Sequence, residues 1–205
     1  MQVTSHYNPD VFNVSNVMDA MKIILTPDED ATTEQRWLNE TPYLLDLMEP
    51  LGLTKDSVVL DYGCGIGRMS RAIIGRYNCH VVGADISTSM RSLAPSYVSS
   101  PKFMACHPSM IPTLGVKFDG VLSVWVLQHC LSPKDDIAMI RSTMKPGAGF
   151  FVVNETTRFV PCTENWVDDG IDIKSLLGKG ESGTLDPAFT TKTTAQRNAY
   201  WWLGW

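Results

Sequence analysis

Apolar positions in the first quarter of the chain keep a helical rhythm. Leu44, Leu45, Leu47, Met48 and Leu51 line one helical face, and Gly52 ends the run. Upstream, residues 14–25 fit one shorter helix and residues 26–33 form a polar link. Thr32 followed by Gln35 has the form of a capping box. Thr41-Pro42 predicts that a helix restarts there, since Thr suits the N-cap and Pro the first helical position.

From residue 58 the rhythm changes. Short apolar runs at 58–62, 80–86, 102–106, 118–125 and 149–153 read as strands. The intervals 68–77, 87–97 and 132–144 are helix-compatible. Ser87 is the expected N-cap of the second, Ser132-Pro133 opens the third, and Pro146-Gly147 closes it. Continuous apolar strands are buried on both faces, and their alternation with helices implies βαβ units and right-handed crossovers. The expected fold is a doubly wound, mostly parallel α/β sheet. Residues 1–54 would form an N-terminal helical cap on the substrate side, and residues 55–205 the core of a single structural domain. Residues 156–195 are polar apart from an apolar patch at 171–177, and the closing AYWWLGW (199–205) is aromatic and β-prone.

Composition narrows the function. A chain of 205 residues that is 44% hydrophobic can bury one sizeable core. No apolar run approaches the roughly 18 residues of a membrane span. The start, MQVTSHYNPD, has neither the basic nor the apolar region of a secretory signal, so a cytoplasmic protein is expected. A net charge of -5 without Lys/Arg runs makes a poor grip for a phosphate backbone, which argues against a nucleic-acid partner. The five cysteines are scattered, with no C-x-x-C pair, so neither a metal site nor a disulfide framework is indicated. That usage fits a reducing compartment.

The stretch VVLDYGCGIGRMSR (58–71) carries the chemistry. Three glycines, Gly63, Gly65 and Gly67, lie between a strand and a helix. That arrangement sets backbone N–H groups against a nucleotide-like ligand. A dinucleotide fits poorly. Its G-x-G-x-x-G pattern, started at Gly63, puts Arg68 where a small residue belongs. Asp61 would also set a carboxylate against the pyrophosphate, whereas it suits a ligand that carries an ammonium group.

The motif D-Y-G-C-G-I-G (61–67) resembles the first motif of the class I S-adenosylmethionine-dependent methyltransferases. Asp85, ending the second strand, resembles their ribose-binding acid. FDGVLSVWVLQH (118–129) and KPGAGFFVVNE (145–155) resemble their fourth- and fifth-strand segments, so the likeness covers roughly residues 55–155. It implies a seven-stranded sheet of order 3-2-1-4-5-7-6 with the last strand, 199–205, antiparallel. It implies S-adenosylmethionine as cofactor and S-adenosylhomocysteine as product. The cofactor residues it implies are Asp61 near the methionyl ammonium, Gly63, Gly65 and Gly67 at close backbone approach, and Asp85 with Ile86 at the ribose. The aromatic faces of Tyr62 and Trp125 are further candidates, since such a face can stabilise the sulfonium cation. The chain departs from the pattern after its third strand. Where many members carry an acid for the adenine amino group, this one has His107-Pro108, leaving His107 or the Ser109 backbone to do that work.

Methyl transfer needs an oriented acceptor and somewhere for its proton to go. His129, just past the fourth strand, is the candidate general base, with Glu155 at the end of the fifth strand a second polar candidate. Core packing is the plainer reading of Trp125, and pocket shaping that of His129. The expected acceptor is a small molecule, methylated on O or N. A protein acceptor, a non-catalytic cofactor-binding module and a dinucleotide oxidoreductase are the alternatives.

Overall fold

A computed structural model describes residues 6–196 and 198–205. The first five residues of the expected cap lie outside the described residues.

Two helices, α1 (Val17–Ile24) and α2 (Thr33–Leu47), precede the sheet. Asn16 caps α1 by accepting the Asp19 N–H at 3.0 Å, which satisfies a donor that every helix start leaves open. The capping box opens α2: the Gln35 N–H donates to Thr32 Oγ1 at 3.2 Å and the Thr32 N–H to Gln35 Oε1 at 2.8 Å. The expected restart at Thr41-Pro42 does not occur, and α2 runs through Pro42. Proline removes the donor for the Leu38 carbonyl. Leu38 is 73% exposed, so water can serve that carbonyl instead. The Thr41 hydroxyl donates to the Trp37 carbonyl at 2.7 Å, inside the helix rather than at a new cap.

The core alternates β1 (Val58–Tyr62), α3 (Arg68–Tyr77), β2 (His80–Ala84), α4 (Thr88–Val98), β3 (Phe103–Cys106), β4 (Phe118–Val124), α5 (Pro133–Thr143) and β5 (Met144–Asn154). After it come a short hairpin, β6 (Val160–Pro161) and β7 (Trp166–Val167), then α6 (Ile173–Leu177), β8 (Glu181–Thr184), α7 (Lys192–Gln196) and β9 (Tyr200–Gly204). The main sheet runs β3-β2-β1-β4-β5-β9-β8, with β9 antiparallel to both neighbours. Counted along its seven strands, that is the order 3-2-1-4-5-7-6.

One boundary differs from expectation. Pro146-Gly147 does not end a helix: α5 stops at Thr143 and β5 already begins at Met144. Pairing with β4 jumps from Phe118 opposite Met144 to Gly120 opposite Gly149. Pro146 and Gly147 bulge out of the ladder between them, where a missing N–H costs nothing.

Strand residues alternate between two cores, as the period of two requires. Leu60, Val82, Val121, Phe150 and Val152 pack with Ile137 and Ile140 of α5 and Ile173 and Leu177 of α6. Val59, Val81, Leu122, Phe151 and Val153 pack with Leu44 and Met48 of α2 and Met69 and Ile73 of α3. The chain start joins the hairpin: the Thr163 N–H donates to His6 O at 2.8 Å and the Asn8 N–H to Pro161 O at 2.9 Å. Further on, the Val14 N–H donates to Ser89 Oγ of α4 at 2.7 Å. Residues 6–14 thus strap across from the hairpin to α4. No helix among the described residues is long and apolar enough to cross a membrane.

Candidate active site

A cavity of about 760 Å³ opens where the carboxyl ends of β1, β2, β4 and β5 meet the strap and the first two helices. Open α/β sheets hold ligands at that place. Pockets for one small ligand start near 300 Å³, so the volume leaves room for a second.

The glycine loop forms one wall. Gly63 and Gly65 have φ of 78° and 54°, a region in which a Cβ is strained. Space forbids one as well: a Cβ on Gly63 would lie 2.2 Å from Val126 Cγ2, and one on Gly65 2.6 Å from Ile24 Cδ1. The Gly65 N–H donates to Asp85 Oδ2 and the Ser87 N–H to Asp85 Oδ1, both at 2.8 Å. Two backbone donors therefore aim the Asp85 carboxylate, which lines the cavity. Burial raises its pKa, and those two N–H groups pull against the rise.

Of the expected cofactor residues, Tyr62, Gly63, Gly65, Asp85, Ile86, His107 and Trp125 line the cavity, while Asp61, Gly67 and Ser109 do not. Asp61 is 2% exposed and turns to the first turn of α3, where its Oδ2 accepts from Ser70 Oγ at 2.6 Å and from the Ser70 N–H at 3.1 Å. Burial pushes its carboxyl up to about 6, against the opposing pull of Ser70 and Arg68. His107 Nδ1 accepts from the Ser109 N–H at 3.2 Å, capping the 3₁₀ turn Pro108–Thr113. Trp125 is held at φ 63° with its N–H on Val153 O at 2.8 Å, a strained conformation for a bulky side chain.

Both candidate catalytic residues line the cavity. His129 Nδ1 lies 2.6 Å from Phe159 O. A carbonyl only accepts, so Nδ1 carries the proton and Nε2 the lone pair. Gln128 Nε2 lies 3.3 Å from that lone pair. The Gln128 Oε1 accepts the Glu155 N–H at 2.7 Å, so one amide ties the end of β4 to the end of β5. Burial lowers the His129 pKa from its usual value, which keeps the ring neutral. Its ring meets Phe12 at 5.7 Å and Trp166 at 5.4 Å between centroids.

Several residues of the site escaped the reading of the sequence. Tyr7 and Phe12 reach it on the strap, Trp166 on β7, Arg36 on α2 and Asp136 in the first turn of α5. Tyr62 Oη donates to Asp136 Oδ1 at 2.7 Å. Asp136 also reads as an ordinary helix-start acid, so only contact reveals it. Arg158, wholly buried, grips Asp169 with two bonds of 2.7 and 2.8 Å and donates to the Leu127 and Cys130 carbonyls at 2.9 and 2.7 Å. It pins the loop that presents His129.

The donor set suits a nucleoside carrying an aminoacyl sulfonium. A carboxylate and further acidic side chains line the cavity, and a glycine wall permits close approach. Known proteins agree. Residues 60–152 match the family model described as a methyltransferase domain. An N-demethylindolmycin N-methyltransferase of Streptomyces griseus is 36% identical over 102 residues, covering 47% of this chain and 43% of that protein. A tRNA U34 carboxymethyltransferase of Hahella chejuensis is 28% identical over 152 residues, covering 71% and 43%. The chain spans about half the length of the curated relatives it matches. Among solved structures, the magnesium protoporphyrin IX methyltransferase of Synechocystis PCC 6803, with bound SAH, aligns at a TM-score of 0.64 and 19% identity, over 95% of this chain and 96% of that one. Residues 60–152 of this chain thus match a methyltransferase domain, within a fold shared with a methyltransferase crystallised with SAH.

Proposed function

We propose that the chain is an S-adenosylmethionine-dependent methyltransferase that modifies an O or N atom of a small molecule. One observation supports the small acceptor above the others. The strap pairs with the β6–β7 hairpin, and both contribute side chains to the cavity that the glycine loop and Asp85 also line. An acceptor would reach the cofactor inside a chamber roofed by this chain, which suits a compact molecule better than a folded protein or a duplex. The acidic net charge points the same way.

Asp85 and the Gly63–Gly65 backbone would hold the cofactor, with Ile86 and His107 beside it and Asp61 and Gly67 behind the loop. The bound cofactor supplies an electrophilic methyl group on a sulfonium. The chain itself positions the acceptor and excludes water. His129, neutral with its lone pair on Nε2, would take the acceptor's proton once the Gln128 amide gives way. Glu155 would orient a hydroxyl or amine from the neighbouring strand.

Incubation with methyl-labelled S-adenosylmethionine and a fractionated metabolite extract tests this reading. Label in a small-molecule fraction is expected. Cofactor binding without transfer would favour a non-catalytic module, label on polypeptide would favour a protein acceptor, and tight NADH binding without S-adenosylmethionine binding would overturn the cofactor.

A further inference from the structure

The cavity has one corner that the cofactor-side residues do not use. Phe12, His129 and Trp166 meet there tilted or edge to face, with centroids 5.4 to 6.0 Å apart. Trp166 remains 49% exposed, so a large aromatic face is left without a partner to cover it. Aromatic rings accept another ring stacked or edge-on, and they attract cations over their faces.

The same cavity carries Asp136. Tyr62 Oη donates to Asp136 Oδ1, and Cys130 also hydrogen-bonds that side chain; burial raises the Asp136 pKa, and these two bonds pull toward its carboxylate form. Two bonds leave that carboxylate with further lone pairs for a ligand. Among the described residues lining the cavity, the other charged groups are Asp28, Asp85, Glu155 and Arg36. Arg36 is the one cation of the set, and it is already bound to Glu40 at 2.7 Å and to the Thr26 carbonyl at 2.7 Å. Arg158, behind the wall, is neutralised by Asp169. An acceptor bearing a carboxylate or phosphate would meet like charge here, and like charge in a partly desolvated site rejects a ligand strongly.

We infer that the acceptor is a flat aromatic molecule bearing an amine, selected by the faces of Phe12 and Trp166 and by the Asp136 carboxylate, with anionic molecules excluded. This rests on the proposed methyl-transfer reading and goes beyond it by naming the acceptor class.

Calorimetry on the full chain, first with S-adenosylhomocysteine and then with three probes added to that complex, tests the inference. Tryptamine is flat and cationic, indole-3-propionic acid is flat and anionic, and 2-cyclohexylethylamine is cationic but not flat. Tryptamine is expected to bind at least tenfold tighter than either of the others. Asp136→Asn is expected to cut its preference over the acid at least fivefold. Trp166→Ala is expected to cut its preference over the cyclohexyl amine, with S-adenosylhomocysteine affinity unchanged in both variants. Equal or tighter binding of the acid, no preference for the flat amine, or no tryptamine binding to the S-adenosylhomocysteine complex would overturn the inference and leave the cofactor reading standing. Failure of S-adenosylhomocysteine to bind would overturn both.

Discussion

The Gly65 N–H donates to the Asp85 carboxylate at 2.8 Å. This bond joins the turn after β1 to the end of β2, twenty residues apart. The loop proposed to approach the cofactor and the acid expected at its ribose are thus tied to each other. Asp85→Asn can accept only one of the two backbone donors well, because its amide nitrogen opposes the other. Cofactor affinity is expected to fall at least tenfold in calorimetry with S-adenosylhomocysteine, since losing a charge-assisted hydrogen bond costs about 1.5–3 kcal/mol.

Gly63→Ala is expected to destabilise the protein by about 2–4 kcal/mol, combining a clash with Val126 and a Cβ at positive φ. Adding Val126→Ala should return the clash share and leave the backbone share. Urea unfolding of the single and double variants separates the two. Equal midpoints for wild type and Gly63→Ala would show that the loop is not constrained as described.

Asp61 contributes a pH-dependent term. Burial holds its folded-state pKa at about 6, above the ordinary value of 3.8. The folded chain therefore binds the extra proton between those values, and the stability this gives is present in acid and lost as pH rises through about 6. Asp61→Asn, which can still accept from Ser70, is expected to flatten that dependence and to be the more stable protein at pH 7, by about 1–3 kcal/mol. Thermal melts at pH 4, 5, 6 and 7 check the sign. If Asp61 serves the cofactor's ammonium group, the same variant will bind S-adenosylhomocysteine more weakly while melting higher.

His129→Phe keeps the ring contacts with Phe12 and Trp166 and removes both nitrogen contacts. A base role predicts at least a hundredfold loss in kcat, and a wild-type acid limb centred below 6.5, because burial lowers the His129 pKa. The acid limb should vanish in the variant. Turnover retained across the pH range would leave His129 as a wall of the pocket.

Removing Arg158 is expected to unhinge the loop after β4. Arg158→Met takes one of its donors from the Leu127 carbonyl, which keeps the Cys130 N–H, and removes the Arg158 donor to the Cys130 carbonyl and the cation of Asp169. A cost of about 3 kcal/mol is expected in urea unfolding, typical for breaking a buried pair from one side. A loss under 1 kcal/mol would mean that the loop holds its shape by other contacts.

The sheet and the glycine-lined wall of the cavity were legible in the sequence because their signals are local. A strand buried on both faces is a continuous apolar run, and a glycine-rich turn between strand and helix follows from conformation at single residues. Asp61, Asp85 and the three glycines could be read from their places at strand ends. The errors at Pro42 and Pro146 also have a local origin. Proline removes a donor, but whether that ends an element depends on where the freed carbonyl points and on what the neighbouring strand needs. The proposed acceptor side was not legible. Phe12, Trp166 and Asp136 lie on a strap, a hairpin and a helix that are remote in sequence. The strap pairing of residues 6–8 with 161–163 brings Phe12 beside Trp166. Asp136 becomes more than a helix-start acid only when Tyr62 reaches it from β1. Asp61 itself, read from sequence as facing the ligand, is bound by Ser70 in the tertiary structure. Backbone conformation and burial periodicity belong to short stretches of chain, while the chemistry of a cavity belongs to side chains that only packing brings within hydrogen-bonding and ring-contact distance.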